Sequence, residues 1–259
     1  MLKIEDLSVR IRETGKVLVD NVSFQVEDGE SFAIIGESGS GKSMTSKTIM
    51  GLLNFHKFDV SGYITWKEAK YSLKDDRAIA NYRGKEICMI PQNPMTAFAP
   101  MIKLGKQIEM ETYLKSKTDK IQFHEMMRET LRQVNLLDYD KIVNSYPAEL
   151  SGGMLQRIMI AMAMLHNPQF IIADEITTAV DAVNEFQIIN ELEKLRNKGI
   201  SMIVITHDFG VAARLCSSVA VMKDGVFVEQ GDLVQVFKNP QHEYTKKLVD
   251  SSILFQEGI

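Results

Sequence analysis

Between residues 36 and 43 the chain reads Gly-Glu-Ser-Gly-Ser-Gly-Lys-Ser, the spacing G-x-x-x-x-G-K-[ST]. Its glycines let the backbone turn N–H groups inward around phosphate oxygens, and a helix beginning directly after them adds the positive end of its dipole. In such a loop Lys42 reaches the β- and γ-phosphates of a nucleoside triphosphate, and the Ser43 hydroxyl ligates Mg²⁺. The cradle takes in Gly36, Glu37, Ser38, Gly39, Ser40, Gly41, Lys42, Ser43 and the backbone N–H of Met44. A second centre closes the apolar run Phe170-Ile-Ile-Ala with Asp174-Glu175. Asp174 suits the Mg²⁺ hydration shell, and Glu175 is placed to polarise an attacking water. A Gly/Ser surface loop or an acidic strand end is commonplace by itself. The two in one chain, each after an apolar run, point to nucleoside triphosphate hydrolysis.

The elements around these residues read as an α/β core. The runs Phe24–Val26 and Ser31–Ile35 are strand-like, a helical pattern covers Lys42 to Leu53, and further strands fall at Tyr63–Trp66 and Glu86–Ile90. From about Leu104 to Leu165 the pattern turns helical, with Phe123, Met126, Met127, Thr130, Leu131 and Val134 at i, i+3, i+4 spacing as one predicted core face. Pro147 interrupts that stretch, and Gly152-Gly153 opens a helix to Leu165. Phe170–Ala173 and Ser201–Ile205 suit buried parallel strands joined through a helix near 183–197. Asp224-Gly225 marks a hairpin between Val219–Met222 and Val226–Val228, and a helical tail follows Pro240.

Composition is that of a soluble globular protein: of 259 residues, 45% are hydrophobic and 25% charged, which leaves out disordered and fibrous classes. A formal charge of −4 lacks the basic footprint of a nucleic-acid binder. The apolar run Ile158 to Leu165 is far short of the ~20 residues that cross a bilayer, and the start Met-Leu-Lys-Ile-Glu-Asp has no apolar segment of a signal peptide. Cys88 and Cys216 each sit in an apolar stretch and read as buried thiols in a reducing compartment.

One further peptide narrows the reading. Leu150-Ser-Gly-Gly-Met-Leu-Gln156-Arg157 precedes the acidic strand, and here the chain resembles the ATP-binding cassette (ABC) ATPases with their LSGGQ-like signature. Other landmarks of that family stand in order: Gln92 after the strand Glu86–Ile90 is similar to the Q-loop glutamine, Thr177-Thr-Ala-Val-Asp181 to the D-loop, and Thr206-His207-Asp208 to the switch histidine. Within the family, Pro91-Gln92-Asn-Pro-Met-Thr and Asn239-Pro240-Gln-His242-Glu-Tyr244-Thr245 resemble motifs of the peptide and nickel importer subfamily, and the short C-terminal end resembles its nickel or metal-chelate members. The chain departs from the family in having no aromatic residue between Val9 and Val22 to stack on adenine, leaving Ile11 or a neighbour to serve. It also carries Ile176 where a proline usually follows the catalytic glutamate.

The resemblance implies one ABC ATPase domain, a P-loop NTPase with a RecA-like core (about 1–96 and 165–235), an antiparallel β edge, an inserted helical subdomain at about 97–164, and a tail from about 236 to 259. It implies ATP and Mg²⁺ as ligands, with Ser43, Gln92 and Asp174 on the metal. Glu175 is then the general base, His207 the γ-phosphate sensor and Gln92 the link to the membrane partner, while Ser151, Gly152 and Gly153 close the ATP site of a facing domain. The implied partners are a second ATPase subunit, identical or a sister chain, in a head-to-tail dimer, two transmembrane permeases and, indirectly, an extracytoplasmic solute-binding protein; no nucleic acid is among them. The implied location is the cytoplasmic face of the cell membrane. The rival readings are a soluble ABC ATPase acting on DNA or ribosomes, and an exporter or membrane-remodelling ATPase.

Overall fold

The computed structural model describes residues 1–113, 119–178 and 181–256. Ala179 and Val180 of the expected D-loop, residues 114–118 of the expected insertion and residues 257–259 of the tail lie outside the described residues. In chain order the elements are β1 (Leu2–Ile11), β2 (Val17–Val26), β3 (Ser31–Ile35), α1 (Lys42–Ile49), β4 (Phe58–Trp66), β5 (Ala69–Ser72), α2 (Asp76–Ala80), β6 (Ile87–Ile90), α3 (Leu104–Thr112), α4 (Lys120–Gln133), α5 (Tyr139–Asn144), α6 (Gly152–His166), β7 (Phe170–Asp174), α7 (Ala182–Asn197), β8 (Ser201–Thr206), α8 (Phe209–Leu215), β9 (Ser218–Lys223), β10 (Val226–Asp232), α9 (Leu233–Lys238) and α10 (Glu243–Gln256). They form two units, Met1–Arg83 with Arg196–Ile259, and Gly84–Leu195. The insertion expected at 97–164 falls inside the second unit, which also holds β6 and β7. Among the described residues no helix is long and apolar enough to cross a membrane.

In the first unit one sheet is antiparallel, in the order β2-β1-β4-β5, and a second runs β10-β9-β3-β8. Every residue of β3 and β8 is buried, so these two strands carry continuous apolar runs rather than alternation. Phe24 stacks on Phe32 with ring centroids 5.0 Å apart and meets Phe227 at 5.8 Å, fastening the two sheets.

β1 and the first half of β2 did not stand out by alternation, for a physical reason. Leu2 and Ile4 are buried, then Leu7 and Val9, so the inward phase slips by one residue at Asp6, where φ is 52°. The register against β2 shifts between Ile4 and Leu7, and against β4 between Glu5 and Ser8. β2 makes the same slip at Asn21, φ 49°, between Val19 and Val22. These are β-bulges, and a period-two template loses its signal across them. Gly62 on β4 accommodates the first: its φ is 105° and a Cβ there would lie 2.6 Å from the Glu5 carbonyl oxygen.

α1 stops at Ile49, short of the predicted Leu53. Gly51 takes φ 60°, and the N–H of Leu52 bonds the Lys47 carbonyl at 2.8 Å, a Schellman closure that ends the helix. The β9–β10 hairpin is the two-residue turn that Asp-Gly predicts, with φ 48° at Asp224 and 87° at Gly225.

In the second unit β6 and β7 pair in parallel, and α4 packs against α6. The buried stripe of α4 is Phe123, Met127 and Leu131, followed by Val134; Met126, expected on that face, is 41% exposed. From Phe123 the stripe follows i, i+4, i+8, and Met126 falls on its solvent flank.

Candidate functional site

Within the first unit the residues expected to bind phosphate start at the end of β3, and His207 stands at the end of β8. The two strands are parallel with Ile35 opposite Thr206, so Gly36 and His207 leave neighbouring strands at the same end of the sheet. The loop runs close to the backbone around it. A Cβ on Gly36 would fall 2.2 Å from the Met222 carbonyl oxygen, and one on Gly41, where φ is 112°, 2.8 Å from that of Leu18. From the hairpin turn, Gly225 donates its N–H to the Ser40 carbonyl at 2.9 Å.

Lys42 is only 3% exposed, and its Nζ donates to the carbonyls of Gly36 (2.7 Å) and Glu37 (2.9 Å). Burying an ammonium is costly unless its donors are matched, and here backbone oxygens match it. Ser40 Oγ is buried with no hydrogen-bond partner among the described residues. A buried cation and an unanswered hydroxyl in a glycine-walled loop suit phosphate oxygens. Ser43 and Met44 are half-buried in the first turn of α1. Glu37, Ser38 and Gly39 are exposed along the rim, Gly39 with φ 84°. His207 is exposed on a pinned turn: Asp208 bonds Thr206 Oγ1 through its N–H at 3.0 Å, and its carboxylate accepts from the N–H groups of Gly210 and Val211 at the start of α8.

Within the second unit the same construction recurs. β6 and β7 are parallel with Ile90 opposite Ala173, so Gln92 and the pair Asp174-Glu175 leave neighbouring strands at one end. Gln92 Nε2 donates to Glu175 Oε2 at 2.8 Å. Asp174 is 2% exposed at the last position of β7. Glu175 takes φ 46°, a left-handed conformation costing a side-chain-bearing residue ~1–2 kcal/mol. Ile176 is buried behind it, and the N–H of Thr178 returns to the Glu175 carbonyl at 3.1 Å. The replacement of proline by Ile176 is thus a packing change.

Ser151 caps α6, its Oγ accepting from the Met154 N–H at 3.3 Å, and Gly152 and Gly153 form the first turn. Gly153 is closed in: a Cβ there would lie 2.7 Å from Cγ of Asn184. Asn184 is held in turn by Asp181, which accepts from its N–H at 3.0 Å and from its Nδ2 at 2.5 Å. Those donors, the backbone N–H first and the side-chain amide next, hold the Asp181 carboxyl below its ordinary range. Sequence reading passed over Asn184, although Asp-x-x-Asn at a helix start was the available sign. Among the described residues no group of three or more His, Cys, Asp or Glu could hold a metal ion.

The ABC transporter family matches residues 19–178. The chain is 38% identical to the oligopeptide transport ATP-binding protein OppD of Lactococcus lactis subsp. cremoris (strain SK11), across 97% of this chain and 75% of that protein. It is 37% identical to the metal-staphylopine import system ATP-binding protein CntD of Staphylococcus aureus (strain NCTC 8325 / PS 47), across 97% of this chain and 93% of that one. A dimeric post-hydrolysis structure of the ATP-binding cassette MJ0796 with ADP and phosphate superposes with a TM-score of 0.78 at 27% identity, covering 90% of this chain and 99% of that one. The fold is therefore the ABC cassette form of the P-loop NTPases, and the chain belongs to the ABC transporter family as an ATP-binding, ATP-hydrolysing subunit.

Proposed function

We propose that this chain drives an importer of peptide-like solutes, seated peripherally on the cytoplasmic face of the cell membrane against two transmembrane permeases, with an extracytoplasmic solute-binding protein delivering the cargo. The observation that carries the hydrolytic assignment is the 2.8 Å bond from Gln92 to Glu175, which aims a carboxylate already set on a left-handed turn. Glu175 accepts the proton of the attacking water as general base. Lys42 offsets charge on the β- and γ-phosphates, residues 36–44 hold the nucleotide, and His207 senses the γ-phosphate. Ser43, Gln92 and Asp174 all offer oxygen, the donor that Mg²⁺ prefers, and the ion supplies charge neutralisation on the phosphates when bound. Gln92 relays the state of the site toward the permeases.

The peptide cargo is supported by relatives such as OppD, named for oligopeptide transport. A second reading, a nickel or other metal chelate, is favoured by the near-equal identity to CntD, named for metal-staphylopine import. Proteoliposomes holding this chain with its permeases, supplied with the solute-binding protein, separate the two. ATP-dependent uptake of labelled oligopeptide supports the first, uptake of a nickel chelate alone supports the second, and ATP turnover without uptake of either removes both.

The working form is a head-to-tail dimer, in which Ser151, Gly152 and Gly153 of one copy face the ATP on the phosphate loop of an identical or sister chain. If the copies are identical, mixing Lys42→Ala with Ser151→Arg collects both lesions in one site and leaves the other intact. Activity should return in the mixture above either variant alone. A strict monomer whose turnover does not depend on concentration would sink the dimer.

A further inference from the structure

The C-terminal motif Asn239-Pro240-Gln-His242-Glu-Tyr244-Thr245 marks a subfamily resemblance and has no part in the chemistry above. In the structure it turns back onto the phosphate-binding loop of its own unit. Glu229, on β10, accepts the backbone N–H groups of Gln241 at 2.8 Å and His242 at 3.0 Å. His242 Nδ1 then accepts the N–H of Tyr244 at 3.1 Å as α10 begins. So fixed, Tyr244 is 8% exposed and its Oη accepts the backbone N–H of Glu37 at 3.0 Å. Lys223 stands over the ring, its Nζ 5.1 Å from the centroid.

The N–H that Tyr244 holds belongs to the same peptide unit as the Gly36 carbonyl. A trans peptide is planar, and its N–H and C=O point in opposite directions. That carbonyl accepts from the Lys42 ammonium at 2.7 Å. A single rigid plate therefore carries Tyr244 on one edge and Lys42 on the other, and turning the plate off Tyr244 turns the carbonyl off Lys42. Gly36 has no side chain to steady the plate, because the Met222 carbonyl occupies the space a Cβ would need.

We propose that Tyr244 is a positioning residue for the phosphate-binding loop: its hydroxyl sets the Gly36–Glu37 peptide and, through it, the place of the Lys42 ammonium. The proposal rests on the reading of this loop as the ATP site. It gives the C-terminal motif a task, with Glu229 and His242 holding the tyrosine that holds the loop.

Tyr244→Phe keeps the ring and removes only the acceptor. ATP affinity should fall, and KM for ATP rise, by about three- to tenfold, the scale of one lost hydrogen bond, with kcat nearly unchanged. Tyr71→Phe breaks a hydroxyl pair with Tyr82 (2.6 Å) in the same unit and should leave KM alone, which separates positioning from general loosening. His242→Ala removes the acceptor of the Tyr244 N–H, should shift KM the same way by less, and carries the test if Tyr244→Phe does not fold. Wild-type ATP affinity in folded Tyr244→Phe or, failing that variant, in His242→Ala overturns the proposal. Lys42→Ala tells the two levels apart. If it also binds ATP like wild type, the loop is not the ATP site; if it loses ATP while Tyr244→Phe keeps it, only the positioning role fails.

Discussion

The glycine loop of the first unit, proposed to hold phosphate, and the carboxylate turn of the second are built on the same plan and held in opposite ways. Each sits where two parallel strands end together, Ile35 opposite Thr206 in one and Ile90 opposite Ala173 in the other. The loop is a backbone object. Gly36 and Gly41 are demanded by carbonyls lying where a Cβ would go, Gly39 by its positive φ, and the loop's one cation is buried on main-chain oxygens. The turn is a side-chain object, in which an exposed Gln92 reaches a half-buried Glu175 whose own backbone is strained. The loop is set by main-chain geometry, whereas the turn is aimed by a side-chain hydrogen bond, so each should fail in its own way when altered.

The largest effect should come at the turn. Glu175→Gln keeps the shape and removes the proposed base, so ATP hydrolysis should fall about 10²–10⁴-fold, while ATP binding should persist and trap the proposed dimer. Turnover measured beside equilibrium binding checks this, and hydrolysis at the wild-type rate means that another residue activates the water. At the loop, Lys42→Ala should cost binding and chemistry together. Hydrolysis should drop about 10²–10³-fold, as for loss of one preorganised charge-stabilising donor, and ATP affinity should collapse while circular dichroism stays native. A Lys42→Ala protein that binds ATP normally but hydrolyses slowly would erase the contrast between the two regions.

That contrast also explains what could be read in the residues. The glycine spacing 36, 39, 41 reports backbone geometry directly, so the loop after β3 and the helix that follows it were legible. Asp174 and Glu175 were legible as carboxylates at a strand end, but the left-handed backbone at Glu175 was not, since no glycine marks it. β1 hid behind the bulge at Asp6, and the first half of β2 behind the one at Asn21, because each inverts the alternation. The Tyr244–Glu37 contact spans 207 positions of sequence, and only the fold brings those residues together.

A smaller effect should follow from crowding the signature helix. An alanine Cβ at position 153 would press on Asn184, and Asn184 cannot swing away without leaving Asp181. Gly153→Ala should therefore slow hydrolysis about tenfold, the factor that goes with ~1.4 kcal/mol, without changing ATP affinity at the loop of the same chain. Adding Asn184→Ala removes the obstruction, and recovery of activity in the double variant assigns the defect to that contact. No recovery would place it in the helix itself.

The smallest effect concerns charge, and it separates the two units by the kind of partner a carboxylate has. In the first unit Glu5 is paired with Lys70 at 2.7 Å and Lys3 at 3.1 Å, and these ammonium groups, Lys70 first, lower its pKa. In the second, Asp181 is lowered chiefly by the neutral N–H donors of Asn184. Both folded values lie below the unfolded ones, so both contributions are in place above about pH 4 and fade as pH falls through the folded pKa. Glu5→Gln and Asp181→Asn should each melt slightly below wild type at pH 7, and both gaps should close in acid. Salt should tell them apart. Raising ionic strength from about 0.01 M to about 1 M shortens the screening length from about 30 Å to about 3 Å, which weakens attraction between exposed ions but not a hydrogen bond from a neutral amide. At pH 7 the Glu5→Gln gap should shrink in salt while the Asp181→Asn gap holds. Equal shrinkage of both would mean that Asp181 also depends on a distant charge rather than on Asn184.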